Sequence, residues 1–242
     1  MIKLENTQVV GWEPTIRGMR NPMNSWEKSD SVFFDGDTWH DICGESNLID
    51  EHQEGFDLGY ADHNLMMTLA SGGPVHAKYR RMIVVYVDIT APFYWWKEFD
   101  TYKVGTVANS CSTMHKIQAK EFTAEDFSIE HLTFFSRNVF EATIKELNHF
   151  RNIFNTPDDE WDSNLLAGLG IKSRKDAWWQ MIQLLPTSYN QRRTVMLNYE
   201  VLAGIYPKRK NHKLNEWHDF CDWIKSLPHS EIITLEGIKN EP

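Results

Sequence analysis

From Arg81 to Ile89 the chain reads Arg-Met-Ile-Val-Val-Tyr-Val-Asp-Ile, and Ala91-Pro92 follows almost at once. β-Branched side chains crowd a helical turn but pack well on a pleated surface, so this run predicts a buried strand. Ala91-Pro92 ends it. Proline is well placed to open a helix, and Phe93 to Thr101 carries aromatics with Lys97, Glu98 and Asp100 interspersed, so a helix is expected next.

Helical signals dominate the remainder. Phe134, Phe135, Val139, Phe140, Ile144, Leu147 and Phe150 recur mostly at three- and four-residue steps, which predicts a long amphipathic helix over Ser128 to Phe154. Asn155 to Asp162 reads as a loop. Ser173 begins a Ser-x-x-Asp cap signal, so Ser173 to Leu184 is expected to be helical and Leu185-Pro186 to close it. Gln191 to Tyr206 is expected to form a helix ended by Pro207, and Leu214 to Leu227 another ended by Pro228.

Upstream, Gln8 to Trp12 reads as a short strand and Arg17 to Gly59 as loop-rich. Asp62 is a plausible N-cap for a helix over His63 to Ala70, stopped by Ser71-Gly-Gly-Pro74. The last residues read as a polar tail. Together these segments predict a helix-rich α/β (α+β) protein.

At 242 residues and 41% hydrophobic, the chain can bury one substantial core, and with no linker-like stretch a single domain over 1–242 is expected. No apolar run reaches the roughly 20 residues of a membrane helix, so no membrane association is expected. Met1 to Val10 lacks the features of a signal peptide, and Cys43, Cys111 and Cys221 give neither a paired disulfide framework nor a zinc-type pair. A cytoplasmic protein without a metal site is expected. A net charge of -9 argues against nonspecific nucleic-acid binding, since counterion release needs clustered cations facing phosphate.

Several residues invite functional readings that packing explains as well. Trp95 and Trp96 point in different directions on a helix and suit a core or an interface. Arg80-Arg81 suits a solvated strand entrance, and His76, His115 and His212 have no metal-like partner at a suitable spacing. Cys111 lies in a Ser-Cys-Ser turn with no assignable base.

The segment from Ala91 to Lys116 resembles the core of the flavin-dependent thymidylate synthases. There a strand ends in Ala-Pro, a helix carries Arg-Gln-Trp, and an Arg-His-Arg-x-x-Ser-x-Asn-Glu-x-Ser-x-Arg-Tyr motif follows. Laid on the shared Ala-Pro, Lys97-Glu98-Phe99 replaces Arg-Gln-Trp, Thr101-Tyr102-Lys103 replaces Arg-His-Arg, and Thr106 meets the first motif Ser. A one-residue insertion beyond Thr106 puts Asn109 on the motif Asn, Ser112 on its second Ser, Met114 on its Arg and His115 on its Tyr. Without the insertion Thr113 takes the Arg position, so that arginine is absent either way.

A second block resembles the same family in order and spacing: Leu185-Pro186, Asn198, Arg209, then Asn211 to Glu216 in place of a His-Ala-Gln-x-Glu pattern. On an unbroken helix the eleven positions from Asn198 to Arg209 return to within roughly 20° of one face. Upstream, His76 alone persists from a His-Glu-x-x-x-Glu-His segment. The resemblance spans about Pro74 to Glu216.

The resemblance implies a flavin-dependent thymidylate synthase-like fold and a homotetramer with sites at subunit junctions. It implies FAD stacked on a pyrimidine nucleotide, deoxyuridine monophosphate in the family, with methylenetetrahydrofolate and NADPH supplying carbon and hydride. It puts Arg209, Asn109 and Ser112 in catalytic positions, and His76, Tyr102, Lys103 and Asn198 beside the cofactor. Lys116, Arg192 and Arg209 are left to hold the substrate. The family's phosphate-gripping arginines are largely replaced, with Ile182 standing where one belongs, and a neutral residue cannot reproduce their bidentate bonds. Two functions therefore stay open: a C5 one-carbon transferase using flavin, and a noncatalytic nucleotide-binding protein on the same scaffold.

Overall fold

The computed structural model describes residues 2–34 and 55–236. The expected polar tail after Glu236, Cys43 and the middle of the expected loop-rich stretch lie outside them.

Strand β1 (Lys3–Val10) leads through Gly11 into helix α1 (Trp12–Arg20). The strand expected at Gln8 to Trp12 starts earlier and stops at Val10, because Gly11 turns the chain there with φ 94°, where a Cβ would run into the Met82 carbonyl. Two short strands, β2 (Val32–Phe33) and β3 (Phe56–Asp57), pair antiparallel. Helix α2 (Tyr60–Ser71) follows, with Asp62 inside its first turn rather than at its cap. The Asp30 carboxylate instead accepts from the Ala61 and Asp62 backbone N–H groups, at 2.8 and 3.1 Å.

Next come β4 (Val84–Pro92), α3 (Phe93–Phe99), β5 (Val107–Ser110) and the single turn α4 (Thr113–Lys116). The expected buried strand exists but is covered on one face. Val85, Val87, Ile89 and Ala91 are buried while Tyr86 is 42% exposed, the period-two pattern of a pleated strand. Arg81 belongs to a 3-10 turn before it, and Arg80, expected to be solvated, is buried where its Nε donates to Glu200 at 2.8 Å.

Helix α5 (Phe134–Asn155) is capped by Thr133, whose side chain accepts from the Ser136 N–H, and so begins after the expected Ser128. Phe140 and Leu147 face inward, whereas Phe134, Phe135 and Val139 are exposed. After α6 (Ser163–Gly168), α7 (Arg174–Leu184) starts where the Ser-x-x-Asp signal put it, with the Ser173 side chain accepting from the Asp176 N–H.

The one large departure is Gln191 to Tyr206. Strand β6 (Asn190–Asn198) occupies its first half and helix α8 (Tyr199–Arg209) its second. Gln191, Val195 and Leu197 are buried in odd register, so sheet pairing overrides the helical pattern. Asn198 caps α8, and Pro207 lies inside its last turn rather than ending it, where only one ladder bond is lost. Helices α9 (Asn215–Ser226) and α10 (Glu231–Thr234) complete the described chain.

The main sheet has the order β1-β4-β6-β5. The chain divides into two packing units. The larger holds residues 2–89, 100–109 and 194 onward; its core includes Trp12, Tyr199, Trp217 and Phe220, with Trp12 edge-on to Tyr199 at 5.5 Å. The smaller holds 90–99 and 110–193, and packs Phe122, Phe127, Phe140, Leu147 and Met181 together. Burying a side chain such as Leu147 or Met181 contributes about 1.5–3 kcal/mol. No described helix is long and apolar enough to cross a membrane.

Candidate functional site

Residues Ser110 to Ile117 of the smaller unit are tied to the start of β6 by complementary bonds. The Cys111 N–H donates to the Arg192 carbonyl at 2.9 Å, and Gln191 Nε2 donates to the Cys111 carbonyl at 2.9 Å. Trp178 Nε1 donates to the Met114 carbonyl at 3.1 Å, which holds α4. Gln191 is itself fixed: its Oε1 accepts from Arg193 Nε at 3.0 Å, and the Arg193 guanidinium lies 4.1 Å from the Trp96 ring centroid.

This scaffold leaves a cavity of about 210 Å³ whose walls include Ser112, Lys116, Tyr189 and Arg192. Three residues singled out in the sequence thus meet: Ser112, Lys116 and Arg192. Two cations and no carboxylate line the cavity. Ser112 also has a local task, as its Oγ accepts from the His115 N–H at 3.2 Å. Burial pushes the Tyr189 phenol above its ordinary value, so it stays a neutral donor at physiological pH.

Gln191 was missed because Gln191 to Tyr206 read as a helix, and Tyr189, just ahead of it, carried no signal of its own. The alternation of Gln191, Arg192, Arg193, Thr194 and Val195 was the available signal: on a strand it points Gln191 inward and Arg192 outward.

The other singled-out residues belong to the larger unit. Arg209, at the end of α8, donates from Nε to the Tyr102 hydroxyl at 2.8 Å and stacks 4.4 Å from the Trp217 ring centroid. Asn198 Oδ1 accepts from the Val201 N–H at 3.0 Å. The side chain also closes over Gly105. Asn109, His76 and Lys103 are exposed. Tyr102 and Asn198 are therefore engaged within their own unit. As they stand in one chain, these four do not fit around a flavin ring: the polar groups of Tyr102 and Asn198 are committed to Arg209 and Val201, and His76 and Lys103 stand on the surface. Among the described residues no group of His, Cys, Asp and Glu could hold a metal ion.

The helix-rich α/β fold with its antiparallel sheet is that of the flavin-dependent thymidylate synthases. The chain is similar to thymidylate synthase X from Helicobacter pylori, crystallised with FAD and dUMP. The TM-score is 0.58 at 15% identity, over 98% of this chain and 98% of that one. A second structure of the flavin-dependent enzyme from the same organism, complexed with FAD and dUMP, matches with a TM-score of 0.56 at 14% identity, over 95% of this chain and 98% of that one. No family model matches the sequence, and no curated protein does.

Proposed function

We propose that this protein binds a pyrimidine nucleotide on the flavin-dependent thymidylate synthase scaffold, with the phosphate held by Lys116 and Arg192. The observation that carries the reading is the cavity beside α4, with two cations, the Ser112 hydroxyl, the Tyr189 ring and no carboxylate. Arginine presents a planar fork to phosphate oxygens and lysine a mobile point charge, so the pair replaces part of the arginine set missing from the motif. At about 210 Å³ the cavity is smaller than the ~300–1,000 Å³ that encloses a drug-sized ligand, and suits the phosphate end of a mononucleotide rather than a whole dinucleotide cofactor. The solved structures that share the fold bind dUMP, which makes it the first ligand to try.

The test is calorimetric titration of the purified protein with dUMP, dTMP and deoxyuridine. Both monophosphates should bind and the nucleoside should bind at least about tenfold more weakly. Lys116→Gln and Arg192→Gln should each weaken the monophosphates and reduce the salt dependence of binding. Equal affinity for deoxyuridine and dUMP would overturn the reading.

A second reading, in which the chain is a transferase that uses FAD, rests on the shared fold and on Arg209 and Asn198 standing in the family's order. A yellow purified protein, or one that takes up FAD and turns over dUMP, would establish it. Self-association is part of either reading: Phe134, Phe135 and Val139 are 72%, 79% and 70% exposed on α5, an apolar patch that assembly would cover. Light scattering of the intact protein tests it, a monomer counting against.

A further inference from the structure

The larger unit contains a second cavity, of about 240 Å³, between one face of α1 and the chain that follows it. Ile16 and Arg20 reach it from α1, four residues apart and so on one helix face. Trp26, Ser29 and Phe33 close it from the other side.

Its polar groups are unequally satisfied. Arg20 is 5% exposed; its Nε donates to Asp62 Oδ1 at 2.6 Å and its Nη1 to the Ser25 carbonyl at 3.3 Å. Its Nη2 is buried with no hydrogen-bond partner among the described residues. A buried guanidinium N–H without an acceptor is costly and uncommon. Asp62 does not meet it: its Oδ2 already accepts from the Ser29 and Ser31 hydroxyls, each at 2.7 Å. Those hydroxyls have spent their protons on Asp62. Ser31 Oγ accepts in addition from the Gly59 N–H at 3.0 Å, which leaves Ser29 Oγ as the acceptor still open.

Arg20, which carries the unsatisfied N–H, and Ser29, which carries the open acceptor, thus line one cavity. Two of the other walls are flat rings, beside Glu13, Ile16, Arg17 and Ser31. Phe33 is stacked on Phe56 at 5.5 Å with 10° between the rings, and Trp26 is pinned by its Nε1 donating to Asn21 Oδ1 at 2.8 Å. The charges balance, because Arg20 faces Asp62 and Arg17 lies 4.0 Å from Glu13. The cavity therefore selects for shape and hydrogen bonding rather than for an anion.

We propose that this cavity binds a neutral planar heterocycle by its lactam edge. The ring carbonyl accepts from Arg20, the adjacent ring N–H donates to Ser29, and the ring packs against Trp26 and Phe33. The site shares no residue with the cavity beside α4.

The experiment uses the full chain and uracil as the probe, followed by calorimetry and by the indole N–H signals in a proton–nitrogen NMR spectrum. Uracil should bind and shift the Trp26 signal, and 1,3-dimethyluracil, which keeps both carbonyls but has no ring N–H, should bind at least about tenfold more weakly. Trp26→Ala, at a 48% exposed wall position, should fold and lose uracil binding, while Lys116→Gln should keep it. Arg20→Lys, where it folds, should lose it as well. The proposal is overturned by no response to uracil, by equal binding of the dimethylated ring, by loss of binding in Lys116→Gln, or by tighter binding of benzoate or inorganic phosphate.

Discussion

The Arg209 guanidinium lies 4.4 Å from the centroid of the Trp217 ring, and its Nε donates to the Tyr102 hydroxyl at 2.8 Å. One arginine at the end of α8 thereby joins the turn after α3 to the first turn of α9. The residue that best matches a catalytic arginine in sequence is also a structural clamp. Arg209→Lys keeps the charge but loses the planar face over Trp217, and should lower stability by about 1–2 kcal/mol in urea unfolding. An unchanged midpoint would mean that the stack is incidental.

The sequence was most legible where local chemistry and tertiary packing agree. The Ser173 cap, the Phe140 and Leu147 helix face and the β-branched run of β4 all follow rules of short range. Gln191 to Tyr206 was not legible because its apolar spacing suits a helix in isolation, while strand pairing puts Val195 and Leu197 in the core. That one element hid part of the candidate site. Ser112, Lys116 and Arg192 were named from sequence, but Gln191 turns inward only when β6 is a strand. Nor did any motif announce the cavity at Arg20, whose partner Asp62 is 42 positions away.

Gly105 has φ 79°, and a Cβ there would stand 3.0 Å from Val201 Cγ2 and 3.2 Å from Asn198 Nδ2. Alanine is strained in this backbone conformation and would push on the side chain that caps α8. Gly105→Ala should destabilise the protein by about 1–2 kcal/mol, and Asn198→Ala by about 1 kcal/mol. Because the two share the cap, the double variant should lose less than the sum; strict additivity in a thermodynamic cycle would show that they do not communicate.

His229 adopts φ 51° and packs edge-on against Trp12 at 5.3 Å. Burial pulls its pKa below the ordinary 6.5, outweighing the opposing pull of Glu231, with His63 adding to the depression. Asp57 also faces it and acts with Glu231. The unfolded chain then binds the proton more readily than the folded one, so stability falls as pH drops through 6.5 toward the lower folded value. His229→Gln should remove that component. Stability measured from pH 7.5 to 5 should fall more steeply for the natural sequence than for the variant, and parallel curves would exclude His229 as the cause.

Asp62 is fully buried, and its two oxygens accept from Arg20 Nε, from the hydroxyls of Ser29 and Ser31, and from the backbone N–H groups of Asp30 and Ser31. Burial alone would raise its pKa, but the bonds from Ser31, Ser29 and Arg20 together prevail and hold it below the ordinary 3.8. A carboxylate depressed by folding contributes stability that is complete above 3.8 and is lost as pH falls through the folded value. Asp62→Asn should act in two ways. It leaves the Arg20 charge buried without its counterion, which costs about 3–5 kcal/mol near neutral pH, and it removes one source of acid sensitivity. Chemical denaturation from pH 7 down to about 2 should therefore show the largest gap between the two proteins at neutral pH, narrowing as acid protonates Asp62 in the natural sequence. A gap that stays constant across the range would mean that Asp62 contributes by shape rather than by charge.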